Sequence, residues 1–487
     1  MTDPTSAGSI DGALIRRGDV GYDRARAQAV WNGLKPDRFP EVIVLAATED
    51  DVPRALARAR AEGLRVSLRS GGHNWSGAQL RDGAMLLDLS RLNRCVIDPA
   101  SRTATVGPAT TSRVLASALE PHGLAFPFGH CPTVAMGGFL LSGGLGWNSR
   151  AWGPACEYVE AVEAVTADGR RLVCSATENP ELFWAARGAG PGFFAVVTRF
   201  RLRLRPQPGA IITTSLTFPL PEVERLAAWA VPMALRLPPS VETSFVLTAG
   251  EPATATADGT EPANGTATAT ANGTATADGT EPATADPSPG ITLTATVFTG
   301  SPREATDVLA PLTGCPFADR ALSRQPPEPT SYVALHEGAD GSWPGEQRYA
   351  VDTLWSTEPY ETQLARGARR IAEAPSGKSL VLVPVEPVAP DPGGGRDMAF
   401  SSLGESYLAA FAIWDDPAHD EANTRWLRRS MDTLDPLGTG SHYIAEADLA
   451  AGASRSRRSY APADWERLKR LKAHWDPDNL FHSYLVP

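Results

Sequence analysis

The chain has 487 residues, 42% of them hydrophobic and 21% charged, the balance of a soluble globular protein with material for two or three cores. Its formal charge of −11 argues against nucleic acid or an anionic membrane as partner, because phosphate binding needs a basic face. Five scattered cysteines, Cys95, Cys131, Cys156, Cys174 and Cys315, include no C-x-x-C pair and point to neither a disulfide framework nor a zinc site, so no metal is expected. Residues 1–8 lack a basic n-region and an apolar run, and no stretch of roughly 20 apolar residues occurs; a cytoplasmic location is the expectation. The richness in Ala, Arg, Gly and Pro is that of a GC-rich bacterial genome.

Residues 40–47 are apolar and β-prone and predict a strand. A helix is expected over 48–62, capped by Thr48, with Asp51 three residues after the cap and Val52, Leu56 and Ala59 as its buried stripe. Residues 66–68 predict the next strand. This β-α-β unit looks like the start of a dinucleotide fold, yet no Gly-x-Gly-x-x-Gly lies between Val44 and Thr48, and Gly71 and Gly72 follow the second strand instead, so a Rossmann domain is not expected. Short strands follow at 85–89, 96–98 and 103–106, then a helix over 112–122 packing Val114, Leu115, Ala118 and Leu119. Asp168-Gly169 turns a hairpin between 159–167 and 171–174. Residues 198–204 alternate Phe200, Leu202 and Leu204 with Arg199, Arg201 and Arg203, which predicts a solvated edge strand.

Pro206-Gln207-Pro208-Gly209 marks a boundary. Beyond it, strands at 211–218, 244–248 and 291–298 alternate with helices at 221–235 and 302–312, the pattern of an antiparallel sheet with helices on one face. An insert at 251–290 repeats Ala-Asp-Gly-Thr-Glu-Pro-Ala at 257–263 and 277–283; without large apolar residues it is expected to be disordered. Trp465, Leu468, Leu471 and Trp475 share one face of a helix expected to start at Asp464 and stop at Asp476-Pro477. The fold class is therefore α+β.

Two glycine-dense motifs carry the chemistry. Arg69-Ser70-Gly71-Gly72-His73-Asn74 follows the second strand. Cys131 comes 58 residues after His73, in Gly129-His130-Cys131-Pro132-Thr133-Val134-Ala135-Met136-Gly137-Gly138, followed by Gly143-Gly144-Leu145-Gly146. Glycines let backbone N–H groups approach a diphosphate, and each loop adds a nucleophile, an imidazole and a thiol. With the Glu181-to-Gly188 segment and Pro191-Gly192-Phe193-Phe194 leading to Val197, this order of motifs resembles the flavin-linked oxidases of the vanillyl-alcohol-oxidase type, in their berberine-bridge-enzyme-like branch.

The resemblance runs from about Gly12 to the C-terminus. It implies a two-part FAD-binding domain (1–206, with 441–487 returning to it) and a substrate domain (207–440). It implies FAD bonded through C8 to His73 and through C6 to Cys131. The flavin would be cradled by Arg69, Ser70, Gly71, Gly72, Asn74, Val134, Gly137, Gly138, Gly143, Gly144, Gly146 and Val197. A valine at the position of Val134 goes with an open oxygen pocket, hence O2 as acceptor and H2O2 as product.

Such an oxidase needs a group to take the substrate proton. The first candidate is Tyr443, at the tyrosine of the family's Tyr-x-Asn motif, where this chain has Ala445 for the asparagine. Its phenol would need a pKa lowered from about 10, by a Lys, an Arg or the flavin. His442 is expected on the opposite face of a strand from Tyr443. Asp352 and Glu386, on substrate-domain strands, are the second candidates. Tyr349 and Trp355 are read as core packing or pocket lining, and His130 as an orienting group. The implied reaction is oxidation of an alcohol, sugar or amine group on a bulky small molecule. An oxidative cyclase or desaturase, and a non-catalytic flavoprotein that binds a compound, stay open beside it, as does the oligomeric state.

Overall fold

The computed structural model describes residues 9–250, 288–345, 347–389, 396–401 and 404–485; nearly all of the insert, 251–287, lies outside the described residues. The chain builds three main sheets. The first is four-stranded, in the order Ala13–Arg16, Val42–Leu45, Met85–Asp88, Val66–Arg69. Its outer pair is antiparallel and the rest parallel. Met85–Asp88 therefore lies between the two strands of the expected β-α-β unit. The crossover helix, Asp51–Ala61, buries Val52, Leu56 and Ala59 against this sheet as its periodicity requires.

Thr48 does not cap that helix. The N-cap position is Asp50, and no side chain caps the helix. The fully buried carboxylate of Asp51 instead gathers the loops that precede the helix, accepting N–H groups from Asp11 (2.6 Å), Ala47 (2.8 Å), Gly12 (3.0 Å) and Thr48 (3.3 Å), which a carboxylate with several lone-pair sites can do and one hydroxyl cannot.

The second sheet is antiparallel, ordered Cys95–Asp98, Thr103–Val106, Val196–Arg203, Val159–Val165, Arg171–Ser175. The arginine-bearing strand is its centre, not an edge. Ion pairs account for two of its arginines: Arg199 with Glu49 and Glu163, Arg201 with Glu160. The helix Ser112–Leu119 buries Leu115, Ala116 and Leu119, whereas Val114, expected to pack, is 47% exposed and lies on the outer face.

The third sheet has seven antiparallel strands, ordered Ser323–Thr330, Ala210–Pro219, Gly290–Thr299, Val241–Thr248, Leu380–Val385, Ser406–Trp414, Arg348–Ser356. Ser323–Thr330 carries three prolines and stands at an edge, where missing donors cost nothing. The helices Val223–Ala234, Pro302–Thr313, Tyr360–Ile371 and Asp420–Leu434 all pack on one face. The other face presents Tyr349, Val351, Tyr407, Ala409 and Phe411.

The last helix begins at Pro462, with Asp464 in its first turn and not at the cap. It ends at Asp476, whose carboxylate accepts from Leu480 and Phe481 N–H (2.7 and 2.9 Å) and pairs with Lys472 (2.8 Å). That clasp lays residues 480–482 along Val66, with Val66 N–H on Leu480 O (2.6 Å) and His482 N–H on Val66 O (2.8 Å). No helix among the described residues is long and apolar enough to cross a membrane. None of the five cysteines, all among the described residues, forms a disulfide.

Candidate functional site

A cavity of about 770 Å³ runs between the glycine-dense loops and the open face of the seven-stranded sheet. That volume lies within the roughly 300–1,000 Å³ usual for small-molecule sites. His73 enters it from the loop after Val66–Arg69. Gly72 shapes that loop: its φ is +78°, and a Cβ would meet Ala29 O at 2.6 Å, so only glycine fits. Its carbonyl accepts Trp31 N–H at 3.0 Å, which fixes the loop against residues 29–31. The imidazole stacks on Trp31, with ring centroids 4.4 Å apart and planes 22° apart.

Cys131 enters from the second loop. Thr133 joins the two nucleophiles: its Oγ1 lies 2.9 Å from His73 Nε2 and 3.5 Å from Cys131 Sγ. Burial and then the charge of Arg69 push the His73 pKa down to about 3, so the imidazole is neutral. His130, the neighbour of Cys131, is open to the cavity, where the surrounding protein and then His336 lower its pKa to about 4, and its ring sits edge-on to Trp147 at 4.4 Å.

The remaining expected cofactor residues divide. Arg69, Ser70, Gly71, Gly72, Asn74, Val134, Gly137, Gly138, Gly146 and Val197 line the cavity; Gly143 and Gly144 do not. A Cβ on Gly143 would strike the Phe400 ring at 2.5 Å, and one on Gly144 would strike Ala155 at 2.8 Å, so these two are packing glycines. Arg69 itself grips Asp88 through Nη1 at 3.0 Å, and Asn74 Oδ1 accepts Ala78 N–H in a turn.

Three observations fit a large bound cofactor. A Cβ on Gly138 would meet nothing within 4 Å, so the wall is open there. Arg69 Nε and Trp147 Nε1 are buried donors without a protein partner. The cavity is continuous from His482 to the sheet.

The candidate bases separate sharply. Tyr443 lines the cavity, and its Oη accepts the N–H groups of Gly144 and Leu145 at 3.2 Å each. No cation lowers this phenol; burial and then Glu446 push its pKa well above the ordinary value. Asp352 is outside the cavity. Strand alternation turns it to the far side, where it meets Arg455 Nε at 3.0 Å and Asp448 N–H at 3.2 Å. Glu386 is also outside. It follows the Leu380–Val385 strand with a positive φ of 46° that swings it onto Arg150 at 2.6 Å. Residues 441–443 are not a strand, and His442 is locked between Thr353 O and Arg455 Nη1. Tyr349 and Trp355 are core: Tyr349 backs Trp31 and Trp355 backs Tyr407.

Residues missed in the sequence complete the site. Trp31, Trp75, Trp343 and Phe411 form an aromatic wall beside His73. Tyr407 and Glu446 line the cavity near Tyr443, with the Tyr407 hydroxyl donating to Glu446 Oε2. Glu242 lines it too, its carboxyl pushed up to about 8 by burial against the pull of the amides of residues 148–150. Glu446 stood one residue beyond the Tyr-x-Asn position. A turn, with Glu446 N–H on Tyr443 O at 2.9 Å, brings both side chains to the cavity, and adjacency to that motif is the one sequence feature that marks Glu446.

The family model described as "FAD binding domain" matches residues 40–175, and "Berberine and berberine like" matches 442–485. The chain is similar to the FAD-linked oxidoreductase ptmO of Penicillium ochrochloron, 30% identical over 96% of this chain and 95% of that one. It is also similar to (R)-6-hydroxynicotine oxidase of Paenarthrobacter nicotinovorans, 36% identical over 45% of this chain and 47% of that one. The structure of Physcomitrella patens BBE-like 1 shares the fold, with a TM-score of 0.80 at 18% identity over 100% of this chain and 99% of that one.

Proposed function

Because the chain belongs to the berberine-bridge-enzyme-like family and is an FAD-dependent oxidoreductase, we propose that it is an oxidase acting on an alcohol, sugar or amine group of a bulky small molecule, with O2 as acceptor and H2O2 as product. Residues 1–206 and 441–487 form the FAD-binding part, and 207–440 the substrate part. The observation that carries the reading is the convergence of His73 and Cys131 on Thr133 in one cavity. Both nucleophiles bond to the flavin, His73 by its neutral imidazole and Cys131 by its thiol.

FAD supplies a two-electron acceptor for substrate hydride. The protein's own work is to hold and enclose. The Trp31 ring fixes the His73 plane, Gly138 lets backbone approach the cofactor while Gly71 and Gly137 let the two loops pack closely on Ala135 and Pro108, and the sheet covers the opposite side with Leu382, Tyr407 and Phe411. Val134, on the wall next to Cys131, keeps room for O2. A relative named for oxidation of 6-hydroxynicotine supports a small-molecule substrate.

The test is acid precipitation of the purified protein. The pellet should stay yellow. His73→Ala and Cys131→Ala should each keep flavin through the other residue, and the double variant should release it. A wild-type pellet that bleaches removes the covalent assignment. A protein that stays oxidised with every substrate yet shifts its spectrum on ligand binding is a binder, not an oxidase.

A further inference from the structure

Charged side chains on the cavity wall fall into two sets. Arg65, Arg69, Arg81 and Arg150 are each engaged: Arg65 with Asn479 O and Phe481 O, Arg69 with Asp88, Arg81 with Ala78 O, and Arg150 with Glu386. The carboxyls are Glu242 and Glu446. Glu242 is faced by the amides of residues 148–150 and by the Arg150 charge. Among the described residues Glu446 has no cation beside it, and its side-chain donor is the neutral Tyr407 hydroxyl. Around it stand the rings of Tyr407 and Tyr443, 6.3 Å apart and nearly perpendicular, with Phe400 beyond Tyr443 at 5.9 Å.

A carboxylate taken out of water without a counter-charge is costly, and a ligand that supplies the charge recovers the loss. Tyrosine rings add attraction for a cation over their faces. An anionic ligand would meet the same carboxylate as repulsion.

We propose that Glu446, oriented by Tyr407, is the anchor for a substrate that arrives as an organic ammonium ion, and that it takes that ion's proton. The N–H bond breaks and an Oε–H bond forms, leaving a neutral amine with its lone pair free and no net charge created. This deepens the oxidase reading and rests on it, since a flavin oxidises the neutral amine. Tyr443 is not the acceptor: its oxygen already receives two amide N–H groups, and nothing nearby favours its anion. Burial instead raises the proton affinity of Glu446, against the lowering effect of the Tyr407 hydroxyl.

The test uses the flavin-loaded full chain and three probes of one shape: benzyltrimethylammonium, benzyl alcohol and benzoate. Affinity is read by titration calorimetry and by perturbation of the flavin spectrum. The cation should bind at least tenfold more tightly than the other two. Glu446→Gln, which keeps an acceptor for Tyr407, should remove that preference and leave benzyl alcohol within about twofold. Tyr407→Phe removes a hydrogen bond that lowers the Glu446 pKa, so the pH below which the cation is lost should move upward. The titratable groups facing Glu446 are the Tyr407 and Tyr443 phenols, both neutral throughout, with Cys156 behind Tyr443. Benzoate binding as tightly as the cation, an unchanged cation affinity in Glu446→Gln, or a flavin-loaded enzyme that binds none of the probes each overturns the proposal. A colourless protein instead removes the flavin reading on which it rests.

Discussion

His73 Nε2 lies 2.9 Å from Thr133 Oγ1, and Thr133 is two residues after Cys131. One hydroxyl thus orients the imidazole and, at 3.5 Å, the thiol. A hydrogen bond of this kind is worth about 1 kcal/mol, or roughly fivefold in the population of one orientation. Thr133→Val should lower the yield of flavin attached at both residues by about that factor, and Thr133→Ser should restore it. Masses of flavin-bearing peptides after proteolysis give the measurement; equal double attachment in Thr133→Val would show that the loops alone align the two nucleophiles.

Tyr443→Phe separates the two candidate proton acceptors. The variant loses the oxygen that accepts from Gly144 and Leu145, so stability should drop by about 1–3 kcal/mol as two buried N–H groups lose their acceptor. With Glu446 as acceptor, the anaerobic rate of flavin reduction by an amine substrate should fall less than tenfold. Glu446→Gln should slow it by roughly a hundred- to ten-thousand-fold, the loss typical of a missing general base. Stopped-flow absorbance reads both. The reverse ranking would return the role to Tyr443.

The ends of the low-complexity insert meet on paired strands, where Thr248 stands opposite Gly290. Replacing 251–287 by a two-residue Asn-Gly turn should therefore close a hairpin already in register. Melting temperature and turnover should change little, since the excised sequence contains no large apolar residue. Insoluble or flavin-free protein from that deletion would mean the insert contributes to folding.

What the sequence revealed depended on whether the information was local. Periodicity located the Asp51–Ala61 helix and the strands flanking it, because Val52, Leu56 and Ala59 must lie on one side to be buried. The glycine-dense loops disclosed His73 and Cys131 for the same reason: backbone conformation is written in adjacent residues. Pairing across the chain was not local. Arg199 and Arg201 looked solvated until Glu49, Glu163 and Glu160 arrived from other elements, which allows the strand to be central. Asp352 and Glu386 stand at strand positions that suggest a base while Glu446 carries no such signal, and only the face of one strand and the positive φ after another turn the first two out of the cavity. Tyr407 had no motif of its own; its meaning comes from Glu446, 39 residues away.

The Asp51 carboxylate gives a prediction in which pH is the control. Burial alone would raise its pKa, but the N–H groups of Asp11, Ala47, Thr48 and Gly12 outweigh burial and hold it below its ordinary 3.8. A group whose folded pKa is depressed stabilises the fold fully above the unfolded value, and that contribution is lost as pH falls through the folded value. Asp51→Asn keeps the shape but presents an amide NH2 to backbone donors. It should cost about 1.5–3 kcal/mol at pH 7, the range for hydrogen bonds to a charged group. As pH falls below 3.8 the unfolded chain protonates first and the folded carboxylate after it, so the gap in denaturant midpoint between the two proteins should shrink. It should not shrink between pH 7 and pH 5, where Asp51 is ionised in folded and unfolded chains alike. A gap that stays constant down to pH 3 would assign the effect to shape and not to charge.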